Sequence, residues 1–403
     1  MASAFRLRIV LRRTAVALAE AVRRKKDMVD VLIAGAGPAG AIAATILARA
    51  GARVLVLDRA EFPRPKLCGD TLNPGALAVL DRLGLACAMG GSLPLAGMIV
   101  TGDEGVRVEG RYDSVCGRAL GRRELDAALV MAAAGAGARI EQGVLVQGAI
   151  VDSSGHEPGI AGLAVKGRDA RSLQVTARLV IAADGRYSRV ARGLGLSRSA
   201  VRPRRWAVGG YFENVGNMTA FGEMHVRAGH YLGVAPLPNR VTNACLVMPR
   251  LDGRSPKDLL IAALLGDAQL RDRFADARMI AEPICLGPLA VDCDVAGAPG
   301  LLLAGDASGF VDPMTGDGLR FALRGAELAA GEALHALEHG TASAHLRLLA
   351  ARRREFSAKW RFNRTMRWLV GYPGTVRAAE YGAAVLPQLL RHAIRYAGDV
   401  HAA

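Results

Sequence analysis

The sequence predicts an α/β fold in which a mostly parallel sheet is joined by a smaller antiparallel β-sheet domain and followed by a C-terminal helical segment. Three observations predict this class. A glycine-rich turn connects an apolar run at residues 30–34 to a segment of helical composition, and two more short apolar runs, 179–183 and 301–304, end in acidic residues. Residues 93–112 alternate apolar and polar side chains around a turn, and residues 206–249 have the composition of several antiparallel strands.

Composition and charge exclude several classes of protein. The 403 residues are 51% hydrophobic and 22% charged, which excludes a disordered chain, and the 48 glycines show no Gly-X-Y period, which excludes a collagen. The formal net charge of +15 lies at the two ends: residues 1–27 hold eight basic and two acidic residues, and residues 346–403 hold eleven basic and three acidic residues. The body is therefore almost neutral, which argues against a nucleic-acid partner.

The cysteines and the N-terminal region indicate a cytoplasmic protein. The six cysteines form no C-x-x-C pair, so neither a disulfide framework nor a metal site is expected. Residues 1–27 lack a secretory cleavage site and form a basic extension, and Met28 is an alternative start directly before the first strand. Residues 31–48 are uncharged and long enough for a membrane span, but their glycines favour a strand, a turn and a helix.

The glycine-rich turn has the full context of a dinucleotide site. It runs Gly35-Ala36-Gly37-Pro38-Ala39-Gly40, and Asp58 ends the next strand and is followed by Arg59. The first glycine permits the turn, the second lets a pyrophosphate approach the helix N-terminus, and the third lets the helix pack close to the strand. The carboxylate can accept a hydrogen bond from a ribose hydroxyl. These residues predict a Rossmann-type βαβ unit.

Two further strand ends carry a carboxylate. Asp184 and Gly185 follow the run 179–183, and Asp306 follows the run 301–304, each at a sheet edge where α/β proteins bind ligands. Three such sites in this order resemble the glutathione-reductase-type FAD fold of p-hydroxybenzoate-hydroxylase-like flavoproteins. The resemblance implies that Asp306 binds the ribityl chain of FAD, and that Asp184 and Gly185 contribute to flavin and NAD(P)H binding.

Two longer motifs narrow the resemblance. Residues 62–70, Phe-Pro-Arg-Pro-Lys-Leu-Cys-Gly-Asp, and residues 305–318, from Gly-Asp-Ala-Ser to Thr-Gly-Asp-Gly, are similar to those of the geranylgeranyl reductase family of FAD-dependent oxidoreductases. The resemblance implies further cofactor contacts: Gly316 and Gly318 at a helix start facing the flavin pyrimidine ring, Arg122 on an FAD phosphate, and Cys68 near the flavin. A surface arginine and a small core residue are the competing interpretations of the last two.

The substrate region departs from that family. The prenyl reductases carry a Tyr-x-Trp-x-Phe-Pro element, whereas residues 231–236 here are Tyr-Leu-Gly-Val-Ala-Pro, so the tyrosine and the proline are kept and the aromatic pair is missing. The chain also lacks the tryptophan-rich element of flavin-dependent halogenases. No catalytic residue is assigned: Tyr231, His230 and Tyr211 are candidates, and packing of the substrate sheet is an equal alternative for each.

The predicted elements divide the chain into four parts. They are a basic N-terminal extension (1–27), a discontinuous FAD-binding domain (28–92, 118–200 and 285–345), a substrate domain (93–117 and 201–284) and basic C-terminal helices (346–403). The last part mixes arginine with aromatic residues at helical spacing. That pattern predicts either a helical cap on the flavin domain or a peripheral membrane contact.

The resemblance implies an FAD-dependent oxidoreductase. Reduced flavin, recharged by NAD(P)H that binds transiently, is expected to reduce a carbon–carbon double bond of a small hydrophobic substrate, either prenyl or polyketide-like. Two alternatives stay open. One is a monooxygenase that hydroxylates an aromatic or polyketide substrate, and the other is a flavoprotein with a non-redox role in RNA or membrane binding.

Overall fold

A computed structural model describes residues 29–400, apart from 104, 113–114, 155–157, 169, 201–203, 371–373 and 375–386. The predicted N-terminal extension, 1–27, and the alternative start at Met28 lie outside the described residues. The α/β class that the sequence predicts is confirmed: two eight-stranded sheets and a set of helices make up most of the described chain.

The elements follow one another along the chain as strands interrupted by helices. The strands are β1 Val29–Ala34, β2 Val54–Asp58, β3 Thr71–Leu72, β4 Leu93–Leu95, β5 Gly97–Thr101, β6 Arg107–Arg111, β7 Gly117–Ala119, β8 Arg139–Gln142, β9 Leu145–Asp152, β10 Gly159–Lys166, β11 Ser172–Ala182, β12 Arg198–Ser199, β13 Trp206–Glu213, β14 Phe221–Arg227, β15 His230–Leu237, β16 Val241–Met248, β17 Arg278–Met279, β18 Ile284–Leu286, β19 Val291–Asp292, β20 Gly297–Ala298 and β21 Leu301–Leu303. The α-helices are α1 Pro38–Arg49, α2 Pro74–Arg82, α3 Arg122–Gly135, α4 Arg189–Gly193, α5 Pro256–Gly266, α6 Arg271–Phe274, α7 Gly318–His339, α8 Ala344–Leu369 and α9 Pro387–Ala397.

The first sheet is parallel at its centre. Its main path runs β20-β21-β11-β1-β2-β8, and β1 is hydrogen-bonded in parallel to both β2 and β11. Strand β1 is buried on both faces: Val31 and Ile33 pack against helices α1, α3 and α7, whereas Leu32 and Ala34 pack against the β9–β11 layer. A strand covered on both sides must be apolar throughout, which explains the uncharged run from residue 31 to 34.

The second sheet is mostly antiparallel and follows the path β17-β13-β16-β15-β14-β5-β6. Strands β13 to β16 form its centre, and the hairpin β5–β6 joins it through a parallel pairing of β5 with β14. Helices α5 and α6 cover one face, where Phe212 and Phe274 pack edge to face with ring centroids 5.3 Å apart. The opposite face is turned toward the first sheet.

The C-terminal helices pack onto the body of the protein. Helix α8 runs along α7 and buries Leu348 and Phe356, and α9 packs against β6, where Ile394 sits over Gly110. None of the helices in the described part of the chain combines the length and the hydrophobicity that a membrane crossing requires. The uncharged run at residues 31–48 is strand β1, the glycine turn and helix α1, as predicted.

Candidate functional site

A cavity of about 690 Å³ lies between the carboxyl edge of the parallel sheet and the inner face of the antiparallel sheet. Most of the residues predicted to bind a cofactor line it, although they come from widely separated parts of the chain. They are Gly35, Gly37, Pro38, Ala39, Asp58, Arg59, Cys68, Arg122, Asp184, Gly185, Asp306, Gly316 and Gly318. The remaining predicted site residues do not line the cavity; they are Gly40, Tyr211, His230 and Tyr231.

The glycine turn is shaped by close backbone contacts. Gly35 has φ +93°, and a Cβ there would lie 2.5 Å from the carbonyl oxygen of Ala183. A Cβ on Gly40 would lie 1.8 Å from the carbonyl oxygen of Gly35, so Gly40 serves the packing of α1 against β1 and not the cavity surface. The free amides at the start of α1 face the cavity and are not covered by large side chains, which suits the phosphates of a dinucleotide.

Asp58 fixes the turn from the neighbouring strand. Its Oδ2 accepts a hydrogen bond from the amide of Ala36 at 2.7 Å, and its Oδ1 accepts one from the amide of Ala60 at 2.8 Å. The side chain is buried at the end of β2 and still lines the cavity. Each carboxylate oxygen has a second lone pair, so the predicted contact with a ribose hydroxyl is compatible with these bonds.

Basic side chains surround the start of α1. Arg122 forms a bidentate pair with Asp126, with nitrogen–oxygen distances of 2.6 and 2.8 Å. Arg64 approaches the same carboxylate at 3.3 Å, and its Nη2 lies 3.6 Å from the position of a Cβ on Gly37. An anion bound between these guanidinium groups and the start of α1 would be stabilised both by their charge and by the positive end of the helix. The arrangement therefore fits the pyrophosphate of a dinucleotide.

Lys66 is a cavity residue that the sequence analysis did not single out. It lines the cavity beside Arg64 and Cys68, and within the described residues it has no hydrogen bond or ion pair. Burial lowers the pKa of its ammonium group to about 8, and the nearby Asp306 carboxylate opposes that effect. In the sequence, a lysine between Pro65 and Leu67 looks like a surface loop residue. Its position inside the motif 62–70 was the one sequence feature that could have indicated a role at the site.

The other two strand-end carboxylates also reach the cavity. Asp306 forms an ion pair with Arg186 at 3.4 Å, and the Arg186 guanidinium lies 4.7 Å from the ring centroid of Phe310. Asp184 accepts a hydrogen bond from the amide of Arg189 at 2.9 Å, at the start of α4. Burial raises the pKa of Asp184. The three strand ends β1, β11 and β21 thus meet along one edge, as their parallel order requires.

The polar side of the cavity, from the glycine turn to the start of α7, is called the cradle below. A tight loop before α7 forms its far end. Gly316 has a left-handed conformation (φ +70°), and α7 begins two residues later at Gly318. Asp312 shapes the loop because its Oδ1 accepts a hydrogen bond from the amide of Met314 at 3.1 Å. The first amides of α7 have no partners within the helix, so they can stabilise negative charge on a ring that lies against the helix start.

Tyr231 holds this loop and does not face the cavity. Its hydroxyl donates a hydrogen bond to Asp312 Oδ1 at 2.6 Å, while Arg205 pairs with Asp312 Oδ2 at 3.0 Å. Burial raises the pKa of Tyr231 well above its ordinary value. The tyrosine therefore joins the antiparallel sheet to the loop before α7, which favours the packing alternative over the catalytic one for this candidate.

Tyr211 and His230 also lie away from the cavity. Tyr211 is hydrogen-bonded to the buried Asp70, which also accepts from Asn243 Nδ2 at 2.6 Å and from the amide of Arg122 at 3.1 Å. Burial raises the pKa of Asp70 to about 7. His230 is the first residue of β15, an inner strand of the sheet, and burial and the charge of Arg227 lower its pKa.

The wall opposite the cradle is apolar and comes from several separate elements. Strands β4, β5, β14 and β15 supply one part, and the C-terminal helices α8 and α9 supply the rest. Its side chains are Leu95, Met98, Val100, Met224, Ala235, Phe362, Met366, Leu390, Ala393 and Ile394. A surface of this kind suits a hydrophobic molecule bound next to the cradle.

Comparisons with known proteins agree with this site. The family model described as an FAD binding domain matches residues 28–361. The menaquinone reductase of Mycobacterium tuberculosis is 32% identical over 326 residues, which cover 75% of this chain and 76% of that protein. Digeranylgeranylglycerophospholipid reductase 1 of Methanopyrus kandleri is 29% identical over 385 residues, which cover 92% of this chain and 94% of that protein.

A solved structure supports the same fold. A geranylgeranyl bacteriochlorophyll reductase-like protein from Thermoplasma acidophilum superposes with a TM-score of 0.74 at 22% identity, covering 86% of this chain and 89% of that one. The predicted FAD cofactor and the predicted resemblance are therefore confirmed. The chain belongs to the FAD-binding-domain family of flavin-dependent oxidoreductases, together with the geranylgeranyl reductases.

Proposed function

We propose that this protein is an FAD-dependent reductase that adds a hydride and a proton across a carbon–carbon double bond of a hydrophobic, prenyl-type substrate. The observation that carries the proposal is the continuous cavity, in which a polar cradle leads directly to an apolar wall. Bound and reduced FAD supplies the hydride. The relatives named above are reductases of prenylated molecules, which supports the same substrate class.

The residues of the chain have three tasks in this reaction. The amides at the starts of α1 and α7 and the basic side chains hold the cofactor and favour negative charge on it. The apolar wall orients the substrate and excludes water. Cys68 lines the cavity beside Arg122, and burial raises the pKa of its thiol although the Arg122 guanidinium opposes that effect, so the thiol keeps its proton at neutral pH. It is therefore our candidate for the group that delivers the proton.

NAD(P)H is the proposed electron donor. No second glycine-rich dinucleotide turn occurs in the sequence, so the donor would bind transiently over the flavin. A monooxygenase is the alternative reaction on the same cradle. The two reactions differ in the product: reduction adds two hydrogen atoms to each double bond, whereas monooxygenation adds one oxygen atom.

The C-terminal helices are assigned to the wall of the cavity. Phe362 and Met366 line it, Phe356 is buried, and only Trp368 among the aromatic residues of α8 is largely exposed, at 57%. Most of the aromatic side chains that a membrane contact would need are therefore packed inside the protein. This supports the helical-cap interpretation of residues 346–403 within their described part.

The test is a product analysis under two atmospheres. FAD-loaded protein is incubated with and without oxygen, with NADPH or NADH and with geranylgeraniol or a prenylated 1,4-naphthoquinone; any quinol is reoxidised in air, and the product masses are then measured by mass spectrometry. We expect a gain of two hydrogen atoms per reduced double bond that survives this reoxidation and occurs in both atmospheres. A product that appears only in air and carries one added oxygen atom would instead support the monooxygenase.

A further inference from the structure

Strand β15 presents different residues to the two sides of the antiparallel sheet. Leu232 and Val234 pack into the core beneath α5 and α6, together with Phe212 and Phe274. Side chains alternate along a strand, so Tyr231, Gly233 and Ala235 lie on the other face of the sheet. Gly233 and Ala235 line the cavity, which agrees with that alternation.

Gly233 is not required by the backbone. It does not have a positive φ, and a Cβ there would find its nearest neighbours at 4.0 Å, at Cys245 O and Met224 Cε. Two glycines on other strands of the same sheet differ: a Cβ on Gly209 would lie 2.2 Å from Leu67 Cδ1, and one on Gly222 would lie 2.5 Å from Met98 Sδ. The space over Gly233 is therefore open, whereas the other two glycines are covered by side chains.

The two departures from the prenyl-reductase element fall on these positions. Where that element has tryptophan and phenylalanine, this chain has Gly233 and Ala235, and both side-chain sites open into the cavity. The opening lies next to the loop before α7, because Phe310 and Met314 pack in the same cluster as Tyr231 and Met224. The place of the two missing rings is thus beside the flavin end of the cradle.

The atoms around the opening suit a flat ring. Met98 and Met224 both line the cavity, and their thioethers adapt their shape and make favourable contacts with the edges of aromatic rings. Protein interiors are close-packed, so a cavity wall that lacks side chains at two successive inward positions, next to flexible methionines, is expected to be covered by a ligand. A flat ring covers both positions at once, whereas a prenyl chain is narrower.

We infer that Gly233 and Ala235 set the width of the substrate site and admit a flat fused-ring group of the substrate, with the prenyl chain following along the apolar wall. The inference rests on the proposed function for the presence of the prenyl chain. It adds that the ring itself, and not a protein side chain, occupies the space over Gly233. The two residues are thus specificity determinants and take no part in the chemistry.

Binding to the oxidised, FAD-loaded protein tests the inference without turnover. The probes are a 1,4-naphthoquinone that carries a geranyl chain, and geranylgeraniol, each titrated while the flavin absorbance is recorded. For Gly233→Trp we expect the naphthoquinone to bind at least about tenfold more weakly and geranylgeraniol to change less than about threefold. Gly233→Ala adds only a methyl group and is the matched control, for which both affinities should stay within about threefold.

Several outcomes would overturn the inference. One is that the wild-type protein does not bind the naphthoquinone. The others are that Gly233→Trp binds the naphthoquinone as tightly as the wild type does, or that it weakens the binding of both probes equally. FAD content and thermal midpoint report whether Gly233→Trp folds, and Ala235→Phe replaces it if it does not, with the same expected result. The proposed function fails separately: in that case the naphthoquinone binds with the expected selectivity, yet the reduced protein adds no hydrogen to either probe.

Discussion

The two halves of the cavity are built in opposite ways. The cradle consists of backbone amides, carboxylates and cations that lie within a few residues of a strand end, such as Asp58 after β2 and Asp306 after β21. The wall consists of apolar side chains from β4, β5, β14, β15, α8 and α9. The residues of both halves come from distant parts of the chain, but each part of the cradle is shaped by its own short segment, whereas no short segment marks the wall.

This difference separates two kinds of function. In the cradle, hydrogen bonds hold the backbone and the side chains in one arrangement. Such a rigid site suits a cofactor that is the same in every reaction cycle. A wall made of flexible apolar side chains from several elements can change its shape through single substitutions and leave the cradle intact. Gly233 and Ala235 lie in the wall, so we expect changes there to alter the substrate and not the cofactor.

The largest expected effect comes from breaking the cradle at Gly40. A Gly40→Ala methyl group would lie 1.8 Å from the carbonyl oxygen of Gly35, so α1 could not pack against β1. We expect a protein that is purified without FAD or does not fold, measured by the visible spectrum and the yield. Gly331→Ala in α7 is the matched control, because nothing lies within 4 Å of its added methyl group. A yellow, stable Gly40→Ala protein would show that the close contact is not needed.

The next effect concerns the attachment of the wall. Lys359 of α8 is buried and pairs with Asp317 at 3.2 Å and with Asp399 at 3.0 Å, and it donates to the carbonyl oxygens of Tyr396 and Ala397. Lys359→Met leaves the Asp317 carboxylate buried without its cation, which costs about 3–5 kcal/mol. We expect a lower thermal midpoint and faster hydrogen exchange in residues 387–400.

A matched substitution separates this effect from a simple loss of charge. Arg254 pairs with Asp252 on the surface, so Arg254→Met should leave both measurements unchanged. Unchanged exchange in α9 of the Lys359→Met protein would mean that this ion network does not hold the wall. Weaker FAD binding without any change in exchange would place Lys359 functionally with the cradle.

A smaller effect is expected at Lys66, which adds a charge to the cradle and has no ion-pair partner among the residues that the structure describes. Lys66→Met should raise the dissociation constant of FAD about tenfold, because the dianionic pyrophosphate loses one nearby cation. The ammonium group is charged below its pKa of about 8, so wild-type FAD affinity should fall as the pH rises through that value. The pH dependence should be reduced in Lys66→Met and kept in Lys257→Met, where the lysine is exposed.

The last expected effect concerns Asp70 and is measured as the pH dependence of stability. Burial raises its folded pKa from 3.8 to about 7, so the folded state holds a proton that the unfolded state releases. The free energy of unfolding therefore falls as the pH rises from 3.8 to about 7 and stays level above. Urea unfolding at several pH values should show a smaller fall for Asp70→Asn than for the wild type or for Asp276→Asn. Equal slopes would contradict the raised pKa.

The contrast between the halves also explains how much could be predicted from the sequence. The α/β class and the cradle were accessible because each signal, such as Gly35 to Gly40 or Gly316 to Gly318, is contained in a short segment. The wall was not, because nothing in residues 387–397 indicates that they pack over β6. Tyr231 was chosen as a catalytic candidate for its chemistry, and only the tertiary contact with Asp312 turns it away from the cavity.

The position of α9 has a consequence for how the cover and the cofactor site depend on each other. Residues 387–397 complete the wall, and Lys359 donates to the carbonyl oxygens of Tyr396 and Ala397 at the end of α9. The same ammonium group pairs with Asp317, directly before the start of α7. One side chain therefore couples the closing of the wall to the part of the cradle at the start of α7, so a change at either place is expected to be felt at the other.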